Sequence, residues 1–76
     1  MEITKHITID TDIHHGTPVI TGTRVPVAIV VGSLAGGMTK EEVCHEYAIS
    51  KEAVDSALAY AAELVATTEV IPLAGA

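Results

Sequence analysis

Asp10, Asp12, His14 and His15 lie within six positions of one another, with His6 close by. Carboxylates and imidazoles are the ligand types of zinc and other transition metals. A metal-dependent enzyme built on Asp10, Asp12 and the histidines is therefore one reading. The spacing matches no recurrent ligand pattern, however, and the stretch reads more simply as a polar loop before a turn. Cys44 and His45 offer a thiol beside an imidazole. Neighbours on a helix point about 100° apart and do not face each other, so they make a poor nucleophile–base pair. Cys44 reads as a small buried residue. As the single cysteine, it also excludes an intrachain disulfide and a multi-cysteine zinc site. These residues assign no catalytic group, no metal and no cofactor, and the expectation is a protein that is not an enzyme.

The most unusual stretch is Gly16-Thr17-Pro18 followed by Gly22-Thr23-Arg24 and Pro26. It is not a phosphate loop, which needs more glycines and a lysine ahead of a helix. Gly22 permits a left-handed turn, and the Thr23 hydroxyl can bond nearby backbone. Arg24 is the only arginine. It is either an anchor, its planar fork tying the arm down, or a contact to an acidic partner or nucleic acid. Gly16, Pro18, Gly22, Thr23, Arg24 and Pro26 together read as a structural motif.

The elements that must position these residues follow from pattern. Ile7-Thr8-Ile9 alternates, so Ile3–Asp10 reads as one short strand. Residues 1–25 form a β arm or ribbon. Val25–Ala35 reads as an apolar helix, with Pro26 in its first turn and Gly36 just past its end. A second helix starts at Thr39-Lys40-Glu41-Glu42, which fits a capping box, and stops near Tyr47-Ala48. Ser50 caps a third helix, whose Val54, Ala57, Leu58, Ala61, Leu64 and Val65 read as a buried stripe. Residues 26–66 are the tri-helical core, and 67–76 a small apolar tail of the same single domain. The second and third helices, with Ile49 plugging the corner and Val54 and Ala57 closing the seam, have helix-turn-helix spacing. The fold class is mainly α: a three-helix, helix-turn-helix-like bundle, homeodomain-like or winged-helix-like, with a short N-terminal β arm.

Charge narrows the partners. The 76 residues carry ten acids against four bases, Lys5, Arg24, Lys40 and Lys51, for a net charge of −6. Affinity for nucleic acid comes mostly from basic side chains on phosphates, so a free-standing polyanion binder is disfavoured. The third helix offers a single cation, Lys51, beside Glu52 and Asp55, and lacks the Arg, Asn and Gln that read base edges. No apolar run approaches the roughly 20 residues that span a bilayer, and the first ten residues hold no signal-peptide core. The expectation is a soluble, cytoplasmic protein. Aromatics are 3% of the chain, so the core is thin, and an apolar first helix points to a homodimer.

One string carries a resemblance. His15-Gly16-Thr17-Pro18-Val19-Ile20-Thr21-Gly22-Thr23-Arg24-Val25-Pro26-Val27 resembles the opening of the small bacterial family called domain of unknown function 433. Leu34-Ala35-Gly36-Gly37 before the capped helix, and Ala57-Leu58-Ala59-Tyr60-Ala61 on the third, continue the likeness over about residues 7–62. The resemblance implies a helix-turn-helix-like fold and no catalysis. It further implies an antitoxin paired with a nuclease toxin of the PIN-domain type, such antitoxins often repressing their own promoter. Thr17 stands where the family usually has Lys, and Thr21 where a basic residue is frequent, so the arm is less positive here than the family pattern.

The favoured expectation is thus a non-catalytic antitoxin that meets its nuclease through Glu52, Asp55, Glu63 and the tail residues Val70, Ile71 and Leu73. The alternative is a dimeric helix-turn-helix transcriptional regulator, with Arg24, Lys40 and Lys51 as nucleic-acid contacts.

Overall fold

The computed structural model describes residues 2–68. Three short strands, β1 (Glu2–Thr4), β2 (Ile7–Thr8) and β3 (Val19–Ile20), form an antiparallel sheet in the order β1-β2-β3. Three helices follow: α1 (Val27–Ala35), α2 (Lys40–Tyr47) and α3 (Lys51–Thr67). The bundle is therefore tri-helical and mainly α, as the sequence pattern implies.

The single strand expected over Ile3–Asp10 is instead a hairpin. The chain turns at Lys5-His6, placing Glu2 opposite Thr8 and Thr4 opposite Ile7, with one register irregularity. A lone strand would leave its backbone groups unpaired on both edges. Folding back pairs one edge of β2 with β1, and β3 pairs the other, with Ile7 opposite Ile20 and Thr8 opposite Val19.

The glycine-rich motif links sheet to bundle by local hydrogen bonds. Gly22 takes φ +80°, open to glycine at little cost. The Thr23 hydroxyl donates to the Ile20 carbonyl at 2.8 Å and accepts from the Val25 amide at 3.0 Å. The Ile20 amide reaches the Val25 carbonyl at 2.9 Å, and the Val27 amide reaches the Pro18 carbonyl at 3.0 Å. The chain thus re-enters the sheet edge beside β3 and starts α1 in one move. Pro26, at φ −67°, is the N-cap residue and stands just ahead of the first helical turn. At the far end Gly36 keeps right-handed angles as the C-cap, and the left-handed reversal falls one residue later, at Gly37 with φ +108°.

α2 opens on the expected capping box. The Thr39 hydroxyl accepts from the Glu42 amide at 3.1 Å, and a Glu42 carboxylate oxygen accepts from the Thr39 amide at 2.8 Å. α2 closes at Ala48, which sits in the left-handed region at φ 54°, ψ 47°. Ser50 then caps α3 by accepting from the Ala53 amide at 3.1 Å.

The core takes one or more residues from nearly every element: Ile7 from β2, Val30 from α1, Val43 from α2, and Val54 and Ala57 from α3 are all fully buried. Ile49 plugs the corner between α2 and α3, as its position in the sequence implies. The stripe expected along α3 is buried only in its first half. Ala53, Val54 and Ala57 are buried, Leu58 and Ala61 are partly covered, and Leu64 and Val65 are 53% and 73% exposed. The cause is length. At about 1.5 Å per residue, the 17 residues of α3 run on past the 9 of α1 and the 8 of α2.

Candidate functional site

Helices α2 and α3 form a helix-turn-helix corner closed by the buried Ile49. The exposed residues of α3 include Lys51, Glu52, Asp55, Ala59 and Glu63. Glu52, Asp55, Ala59 and Glu63 recur at helical spacing and line one outer stripe. That stripe carries three carboxylates, with Lys51 at the helix start.

Two residues assigned by sequence to different partners meet each other. The Lys40 ammonium donates to a carboxylate oxygen of Asp55 at 2.8 Å, tying the first turn of α2 to α3. The hydrogen bond from Lys40 holds the Asp55 carboxyl below its ordinary range, against an opposing effect of desolvation and with help from the charges of Lys40 and Lys51. The bond to Asp55, then its charge, holds the Lys40 ammonium above the ordinary lysine value. Both side chains remain about half exposed, so solvent screens the pair. Lys40 is thus already engaged with a carboxylate, and Asp55 is less negative to an approaching molecule than Glu52 or Glu63. Arg24 is exposed, at the end of the turn that precedes α1. Val70, Ile71 and Leu73 lie outside the described residues.

The Asp10–His15 stretch is organised by its own backbone. The Asp10 carboxylate accepts from the Asp12 amide at 2.8 Å, the Ile13 amide donates to the Asp10 carbonyl at 2.9 Å, and a single 3-10 turn follows at His14–Gly16. His15 is left-handed there, at φ 56°. Among the described residues no three His, Cys, Asp or Glu side chains converge on a point that could hold a metal ion. Cys44 is half-buried and packs against the core, rather than lying fully inside it. Gly16, Pro18, Gly22, Thr23 and Pro26 all serve the local turn geometry around β3 and the start of α1.

One surface was not visible in the sequence. Between α1 and the second half of α3 runs an open apolar groove of about 430 Å³. Ala28, Val31 and Gly32 form its α1 side, Tyr60, Leu64 and Val65 its α3 side, and Thr17-Pro18 lies at its edge. No residue lining it is charged. The available signal was the disparity in helix lengths, together with two small residues, Ala28 and Gly32, one turn apart among the β-branched Val27, Ile29, Val30 and Val31 of α1.

No helix among the described residues is long and apolar enough to cross a membrane.

No curated protein sequence matches the chain. Among solved structures, Rv2018 from Mycobacterium tuberculosis is similar, with 33% sequence identity and a TM-score of 0.63. The similarity covers 68% of this chain but 24% of that one, so this protein spans about a quarter of the Rv2018 chain's length. The profile of a protein family of unknown function, DUF433, matches residues 7–61, a stretch from the core strand β2 through the greater part of α3. The chain belongs to the DUF433 family.

Proposed function

We propose that this protein is a non-catalytic binding module, the antitoxin of a toxin–antitoxin pair that neutralises a PIN-type nuclease. The observation that carries the reading is the outer stripe of α3. The second helix of the corner presents Glu52, Asp55 and Glu63 on its exposed face. Carboxylates on that face oppose phosphates and attract cations. A nuclease that handles RNA needs a cationic rim around its cleft, and an acidic partner would be steered onto that rim and would block RNA access. The nuclease as partner rests on the family likeness; the sign of the charge is the structural support.

The test is co-expression of the full-length chain with a nuclease encoded beside it, followed by affinity capture and an RNA-cleavage assay. A stable complex with cleavage suppressed is expected, weakened when Glu52 and Glu63 are both changed to Lys. Failure of the full-length protein to bind removes the proposal.

The helix-turn-helix corner favours a second reading, a dimeric transcriptional regulator. Two chains would bring eight bases against twenty acids, with Lys40 held by Asp55. A gel shift on the gene's own upstream DNA at about 150 mM salt, with and without the nuclease, separates the two readings, because contacts to phosphate weaken steeply with salt.

A further inference from the structure

Lys40 stands where its own helix does not favour a cation. It is the first residue of α2, and the positive end of a helix dipole opposes an ammonium there. What it meets instead is Asp55, about one turn into α3, at 2.8 Å. Among the described residues Glu52 and Glu63 carry no ion pair, so Lys40 covers the middle acid of the outer stripe and leaves the two ends bare. The cover is partial. The ammonium reaches one carboxylate oxygen, Oδ1, and the other takes no hydrogen bond among the described residues. Both side chains are about half exposed, so the pair is weak and screened.

We infer that Lys40 sets the specificity of this surface: it occupies Asp55 in the free protein and yields the carboxylate to an arginine of a cationic partner. A guanidinium is the group that displaces an ammonium there, because its planar fork can engage both oxygens where Lys40 engages one. The displaced Lys40 strands no buried charge. It stays in solvent, and the charge of Glu41, its neighbour in sequence, attracts it. Lys51, on α3 itself, also acts on Asp55 through its charge. A partner with diffuse positive charge therefore meets two resident cations at this acid, and one that presents an arginine fork exchanges with the first. That the partner is the nuclease rests on the proposed function; the exchange rests on the ion pair and is tested without the nuclease.

The probes are synthetic hexa-arginine and hexa-lysine peptides, titrated into the isotope-labelled full chain and read from the backbone amide shifts of α3. At about 150 mM salt, charges beyond about 8 Å are largely screened, so local changes dominate. The native chain is expected to bind hexa-arginine more tightly than hexa-lysine. Lys40→Gln keeps a good helix former, so helical circular dichroism is retained. It is expected to bind hexa-arginine about 3–5-fold more tightly than the native chain, the range an exposed ion pair allows, and to narrow the preference for arginine. Lys5→Gln changes net charge equally, from an exposed lysine in the β1–β2 turn, and is expected to shift affinity by less than about 1.5-fold. Adding Asp55→Asn to Lys40→Gln should erase the gain. Equal gains from Lys40→Gln and Lys5→Gln, a gain that survives Asp55→Asn, or no shift of α3 with either peptide overturns the inference. A chain that shows the expected peptide pattern yet fails to bind the nuclease removes the nuclease reading and leaves the exchange standing.

Discussion

The hydroxyls of Ser33 and Tyr47 lie 2.9 Å apart, joining α1 to α2 at a partly buried point beside the core. Packing fixes the crossing of two short helices only loosely, and a directional bond adds a preferred register. Tyr47→Phe removes one partner and is expected to cost about 1 kcal/mol in urea unfolding. Ser33→Ala is expected to cost a similar amount, and the double variant less than the sum, since both singles break the same bond. Additive costs would show that the two hydroxyls act separately.

Ala48 ends α2 in the left-handed region. A Cβ there crowds the following carbonyl, and glycine escapes that strain. Ala48→Gly is expected to stabilise the protein by about 0.5–1 kcal/mol, after allowing for the greater freedom of glycine in the unfolded chain. A melting temperature about 2–8 °C higher is the corresponding readout for a domain of this size. A fall would mean that the turn holds Ala48 without strain.

The Lys40–Asp55 pair makes stability depend on pH at both extremes. Asp55 titrates lower in the folded than in the unfolded chain. Its contribution is therefore present at neutral pH and lost as pH falls through the folded value. Lys40 titrates higher when folded, so its contribution persists up to ordinary lysine titration and is lost as pH rises through the folded value. Asp55→Asn is expected to flatten the acid limb slightly and to match the native protein once pH has fallen below the folded Asp55 value, where both are uncharged at this position. The difference at neutral pH should shrink in high salt, because the pair is exposed. Equal differences at low and neutral pH would assign the effect to something other than this ion pair.

Thr23 holds the turn between β3 and α1 with two bonds from one hydroxyl. Thr23→Val keeps the shape and removes both, leaving the partly buried Val25 amide without that acceptor. A loss of about 1–2 kcal/mol is expected in denaturant unfolding. Thr23→Ser, which retains the hydroxyl, should recover most of it.

The parts of the fold legible in the sequence are those made by residues a few positions apart. The Thr39–Glu42 box, the Ser50 cap and the Gly22-Thr23 turn each complete their hydrogen bonds within four residues, so their chemistry is written locally. Ile49 at the corner follows from the spacing of two caps. The outer carboxylates of α3 were visible for the same reason. What needed coordinates depends on how far one helix runs past another. The pattern of α3 is continuous from Val54 to Val65, and nothing in it announces that its cover stops near Ala61. The meeting of Lys40 with Asp55, fifteen positions away, and of Ser33 with Tyr47, fourteen away, depends on helix crossing. The β1–β2 hairpin was hidden because one strand and two half-strands can share the same alternation.

Ile7, a residue of the N-terminal sheet, is fully buried among side chains of the helices. The sheet is thus the floor on which the bundle stands, and the helices are not a portable cassette. A peptide cut to residues 26–67, or those helices grafted onto another scaffold, would arrive with a hole where Ile7 belongs. The smallest transplantable piece starts upstream of β2.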